Sequence, residues 1–157
     1  MEPSKEQRVS IVKTQFYKWK FGSINIRTGK EKEGGAEMYT IAREVDRADL
    51  QLCCIQEVRH RNTGKKIIRL NNGNQYVFLW SGMKKRRDAG VGFLIKVDSK
   101  IEYSDPEINS QRVIAINMNI HGFKVRVVNA YSPTNIDGTL IQKWNTKTIQ
   151  TNCGWRF

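Results

Sequence analysis

The chain of 157 residues has the length of one domain, a net charge of +12 and 39% hydrophobic residues, with an isoelectric point near 9.8. That size and apolar content allow a buried core and exclude a disordered polyelectrolyte. No stretch approaches the roughly 20 apolar residues that cross a bilayer. The excess of Lys and Arg points to a polyanionic partner, because neutralised phosphates release counterions. Nucleic acid comes first and an anionic membrane surface second.

The polar, mixed-charge start from Met1 to Lys20 is not a secretory signal, so an intracellular protein, nuclear or cytoplasmic, is expected. It reads as a basic extension without a clear period. A first strand follows at Phe21–Ile26, then a loop from Gly29 to Gly35. Met38, Ile41, Ala42 and Val45 recur at helical spacing and predict an amphipathic helix over Ala36–Ala48. The nearly continuous apolar run Leu50–Gln56 predicts a buried strand, so the opening is strand–helix–strand and the class is α/β. Cys53 and Cys54 are neighbours in that run and Cys153 lies in the tail. They have no zinc spacing and read as small buried hydrophobes.

Gln75–Ser81 alternates, with Tyr76, Phe78 and Trp80 on one face and Val77 and Leu79 on the other. Ala89–Lys96 predicts another apolar strand, whose two glycines suggest close packing or a bulge. A basic loop, Met83–Asp88, separates the two. Arg112–Ile120 places Ile114, Ile116, Met118 and Ile120 on one face, and His121-Gly122 makes a two-residue hairpin turn. The chain returns over Phe123–Tyr131 with Phe123, Val125 and Val127 inward. A mixed or antiparallel sheet with a helix on one face is expected. Ile136, Leu140, Ile141 and Trp144 could begin a further helix, and the stretch to Phe157 has no period.

Three polar residues end apolar strands, where the sites of layered α/β folds gather. A carboxylate at Glu57 is costly to desolvate unless paired or bound to a cation, so magnesium ligation and a salt bridge to Arg59 or Arg61 both account for it. Asn25, between two isoleucines, can orient a carboxylate or a phosphate oxygen, or be satisfied by neighbouring backbone. Tyr131 continues the inward face of its strand, and its hydroxyl can donate to a phosphate or only be satisfied locally. Lys84, Lys85, Arg86 and Arg87 could grip phosphate, act as a nuclear import signal or simply face water. His60 and His121 read as solvated loop histidines.

The segments Asn25-Ile-Arg-Thr, Gln56-Glu57 and Asn129-Ala-Tyr-Ser-Pro-Thr, with Asp88–Lys96 and Arg112–Asn119 between them, resemble the endonuclease/exonuclease/phosphatase superfamily. The wording of Gln51–Arg61, Ser81–Lys96 and Val127–Asn135 is closest to its retrotransposon-derived branch. That branch holds the apurinic-like endonucleases of LINE-type elements and the craniofacial development protein 2-like proteins. The resemblance covers Phe21 to Lys143 and leaves a divergent tail, 144–157. It implies a four-layer α/β sandwich, DNA as partner and magnesium as cofactor, with manganese as a substitute, and no small-molecule cofactor or membrane. It also implies that Asn25 positions metal and phosphate, Glu57 ligates the metal and Tyr131 contacts the scissile phosphate. Arg27 stands where repair endonucleases carry an acidic metal-site residue, and Thr134 where many relatives have an asparagine that holds the phosphate or its attacking water.

The superfamily's later motifs, a Gly-Asp-Phe-Asn segment and a Ser-Asp-His segment with the catalytic histidine, do not occur in these residues. Loss of a general base removes roughly 10²–10⁴-fold in rate. The expectation is therefore a truncated endonuclease domain with mainly the first sheet and its helix. Its inner sheet face would be bare and open to a partner chain, and its activity weak or absent. The alternatives are a non-catalytic, basic nucleic-acid-binding remnant and the non-functional product of a degenerate element.

Overall fold

The computed structural model describes residues 18–26, 36–85 and 89–132. The start of the basic extension, the loop Gly29–Gly35, the helical start at Ile136–Trp144 and the tail with Cys153 lie outside these residues. Chain order is β1 (Phe21–Asn25), α1 (Ala36–Arg47), β2 (Leu52–Gln56), β3 (Thr63–Arg69), β4 (Gln75–Ser81), β5 (Val91–Lys96), β6 (Ile101–Tyr103), β7 (Glu107–Ser110), β8 (Val113–Ile120) and β9 (Phe123–Ala130).

The helix forms where the apolar spacing requires it. Met38, Ala42 and Val45 share a face and are buried at 5%, 0% and 5%, while Glu37 in the first turn and Arg47 in the last oppose the helix dipole. That face packs on one side of a five-stranded mixed sheet of order β1-β2-β5-β4-β3, against Cys53, Ile55, Ile68, Tyr76, Phe78 and Leu94. β1 and β2 are parallel, as a helical crossover permits, and the other neighbours are antiparallel. Burial raises both thiols, Cys53 to about 11 and Cys54 to about 12, so they remain protonated at neutral pH.

The opposite face of this sheet is also apolar, and it is covered. Leu52, Val77, Leu79, Val91, Phe93 and Ile95 pack against Ile114, Ile116, Met118 and Ile120 of β8, with Val125 and Val127 of β9 alongside. β8 is the centre of a second sheet: β9 pairs along its whole length, β6 with one part of the opposite edge and β7 with another. Burying each such side chain contributes about 1.5–3 kcal/mol relative to exposure.

This corrects the expectation of a bare inner face open to a partner chain. The described residues hold two sheets, with the helix outside the first. The alternation of β8 reports a buried face correctly, but alternation does not say which sheet the strand joins. Three strands went unread. In β3 only Ile68 is buried, and β6 and β7 are too short to display a period. Phe123, expected inward, is 53% exposed and meets the Trp19 ring edge-on at 4.9 Å.

Two glycines are dictated by geometry. Gly92 lies where an added Cβ would stand 2.6 Å from the Leu79 carbonyl oxygen, so the β4–β5 pairing is continuous and close rather than bulged. His121 and Gly122 have φ of 50° and 88°, as a two-residue turn with both centres left-handed requires. No helix among the described residues is long and apolar enough to cross a membrane.

Candidate active site

Parallel pairing of β1 with β2 sets Asn25 opposite Gln56, and the Ile26 amide donates to the Gln56 carbonyl at 3.1 Å. The next residue, Glu57, leaves the strand with φ of 56°. A non-glycine residue in that region costs on the order of 1–3 kcal/mol and persists only where its surroundings hold it. Among the described residues, two side chains donate to this one. Asn25 Nδ2 donates to Glu57 Oε1 at 3.0 Å, and the Tyr131 hydroxyl donates to the same oxygen at 3.0 Å. The Glu57 side chain is 14% exposed, and its Oε2 lies 3.6 Å from Arg59 Nη2.

Tyr131 reaches this point because its strand is tied to the first sheet two residues earlier. Asn129, 2% exposed, donates to the carbonyls of Ile55 at 2.9 Å and Gly92 at 2.7 Å. Its Oδ1 accepts from Gln56 Nε2 at 2.9 Å, and Gln56 Nε2 also reaches Ser23 Oγ at 3.0 Å. The Tyr131 amide donates to the Arg112 carbonyl at 2.9 Å. Burial, the hydrogen bond to Glu57 and that carboxylate's charge push the Tyr131 phenol above its ordinary pKa, against the guanidiniums of Arg112 and Arg59. Tyr131 is therefore a donor at neutral pH.

The sheet end that carries Glu57 is rimmed by basic residues. The strand pairing puts Gln56, Val91 and Ser81 in one row, so the β4–β5 loop leaves beside Glu57. Backbone bonds join that loop to the segment after Glu57: Val58 N to Gly90 O at 3.1 Å, Asn62 N to Met83 O at 3.2 Å and Gly82 N to Asn62 O at 2.7 Å. Lys84 and Lys85 are exposed on this loop, and Arg61 is exposed on the segment facing it. The Nε atoms of Arg59 and Arg112 are enclosed with no hydrogen-bond partner among the described residues.

Of the residues singled out in the sequence, Asn25, Glu57 and Tyr131 thus meet in one cluster, and Lys84 and Lys85 are exposed on the loop that leaves the same end of the sheet. Arg27, Arg86, Arg87 and Thr134 lie outside the described residues. The salt bridge anticipated for Glu57 is present through Arg59. His60 lies edge-on to Phe78 and tilted against Trp80, with ring centroids 5.5 and 5.1 Å away, and His121 lies at the turn, far along β9 from Tyr131. The structural importance of Asn129 and Arg112 was missed. A polar residue at an inward position of an otherwise apolar strand was the available signal for Asn129.

No three His, Cys, Asp or Glu side chains gather into a metal-binding group among the described residues. A hard cation such as magnesium takes one or two carboxylates and otherwise water and phosphate, and Glu57 is the carboxylate that this cluster would offer one. No model of a known protein family matches the chain, and no curated protein matches it either.

Proposed function

We propose that this chain carries the metal- and phosphate-holding half of a magnesium-dependent DNA endonuclease site of the endonuclease/exonuclease/phosphatase type, from the retrotransposon-derived, apurinic-like branch. The observation that supports this is the convergence of Asn25 and Tyr131, from strands in different sheets, on one oxygen of Glu57. The two sheets and the outer helix are read as three layers of that superfamily's four-layer sandwich.

In this reading Glu57 ligates the cation through Oε2, while Asn25 and Tyr131 fix the carboxylate through Oε1. Bound magnesium, or manganese in its place, would withdraw charge from a phosphodiester. The Tyr131 hydroxyl carries a single proton, so it can donate to a phosphate oxygen only by releasing Glu57 Oε1. Arg59, Arg61, Arg112, Lys84 and Lys85 supply the positive field that draws the DNA backbone in. Water activation is the unfilled role: no described residue is assigned to it, and the Gly-Asp-Phe-Asn and Ser-Asp-His segments do not occur in these residues. That gap favours a second reading, a basic nucleic-acid-binding module with little or no catalysis.

The test is nicking of supercoiled plasmid and of a duplex with an abasic site, with and without Mg²⁺, by the chain and by Glu57→Ala. Mg²⁺-dependent nicking that disappears in Glu57→Ala supports the endonuclease. Salt-sensitive, metal-independent DNA binding without nicking in both proteins supports the binding module.

A further inference from the structure

We propose that Arg59 is a built-in counter-ion of Glu57 that a divalent cation must displace, and that the displaced guanidinium then serves the phosphate. This rests on the reading of Glu57 as a metal ligand and makes cation and polyanion binding cooperative.

The argument starts from how the two carboxylate oxygens differ. Oε1 is held by two neutral donors, Asn25 and Tyr131, which orient it without neutralising it. Oε2 faces a guanidinium at 3.6 Å, well beyond the roughly 2.7–2.9 Å of a direct charge-assisted hydrogen bond, so the pair is loose. The carboxylate is withdrawn at 14% exposure, while Arg59, at 35%, is reachable from outside. The backbone between them is fixed. Glu57 and Arg59 both have left-handed φ, 56° and 55°, and the Val58 between them is buried with its amide bonded to Gly90.

A cation bound to Oε2 at about 2.1 Å would come close to the guanidinium, and the two positive charges would repel. The flexible partner is the side chain. Arg59 Nε has no hydrogen-bond partner among the described residues, and a guanidinium's fork of donors suits a phosphate. Arg112, whose Nε is likewise without one, presents a second guanidinium by Tyr131. By linkage, whichever ligand pulls Arg59 away from Glu57 strengthens the other.

Mn²⁺ alone, titrated calorimetrically into the full chain, tests this without reference to catalysis. Arg59→Gln should bind Mn²⁺ at least about fivefold more tightly than the wild type, and Arg59→Lys, which keeps the charge, should stay near it. A short DNA duplex should tighten Mn²⁺ binding in the wild type and leave Arg59→Gln unchanged. Unchanged or weaker Mn²⁺ binding in Arg59→Gln, with binding lost in Glu57→Gln, overturns the counter-ion and leaves the metal reading standing. Binding in Glu57→Gln equal to the wild type overturns both.

Discussion

The side-chain nitrogen of Asn129 donates to the Gly92 carbonyl oxygen at 2.7 Å, joining a β9 side chain to the backbone of β5 in the opposite sheet. With its bonds to Ile55 and Gln56, this amide sits in a mostly apolar interface and fixes where Tyr131 emerges.

Asn129→Leu should therefore cost roughly 2–4 kcal/mol, because the change in shape is small but polar groups at the interface lose their partner. Urea unfolding should show a lower midpoint at an unchanged slope. A loss below about 0.5 kcal/mol, the usual scale of a surface change, would mean that the amide does not hold the sheets together.

Alkaline pH should probe Tyr131. Its phenol keeps its proton to higher pH in the folded state than in the unfolded one, owing to burial, the bond to Glu57 and that carboxylate's charge. Above about pH 10 the unfolded chain binds fewer protons than the folded chain, so stability falls as pH rises. Tyr76, pushed up by burial and by its bond to Asp46, acts in the same direction. Urea midpoints measured from about pH 9 to about pH 11, either side of the ordinary tyrosine pKa of about 10, should fall less steeply in Tyr131→Phe than in the wild type. Equal slopes would show that Tyr131 is not bonded to a charged Glu57.

Acid should probe the far end of the sheet. Asp46 accepts from Asn72 Nδ2 at 2.7 Å, Asn74 Nδ2 at 2.9 Å and the Tyr76 hydroxyl at 2.9 Å. Burial raises its carboxyl pKa, but these bonds and the Lys96 charge outweigh that, and the net shift is downward. The stabilisation is complete above the unfolded value of about 3.9 and is lost as pH falls through the lower folded value. Asp46→Asn should lower the melting temperature at neutral pH by roughly 2–4 °C, about 1 kcal/mol, with the gap to wild type closing below about pH 4. A gap that persisted in acid would point to packing instead.

The basic rim is open to a salt titration. If Lys84 and Lys85 each neutralise one phosphate, replacing both with Ala should flatten the dependence of log affinity on log salt by about 1.8 for duplex DNA. Fluorescence anisotropy at several salt concentrations measures the slope. An unchanged slope would leave these lysines as solvated loop residues.

Much of the fold was legible because its signals are local. Met38, Ala42 and Val45 marked the helix face, and the two faces of β4 separated as read, with Tyr76 and Phe78 toward the helix and Val77 and Leu79 toward the second sheet. The edge strand β3 was not legible, since Lys65, Lys66 and Arg69 give it the charge that blunts an edge and erase its alternation. The candidate residues Asn25, Glu57 and Tyr131 were legible as polar ends of apolar strands, but not as one hydrogen-bonded group.

The sequence by itself determined which faces of α1, β4 and β8 are buried, where the His121–Gly122 hairpin turns and that the chain is strongly basic, because periodicity, turn chemistry and charge are properties of neighbouring residues. Only the tertiary structure decided that β8 and β9 leave the first sheet to cover it, and that Asn129 ties them there. It also decided that Asn25 and Tyr131 share one oxygen of Glu57 while Arg59 faces the other. Those outcomes depend on which apolar faces meet across long stretches of chain, and a local pattern says that a face needs covering without saying what covers it.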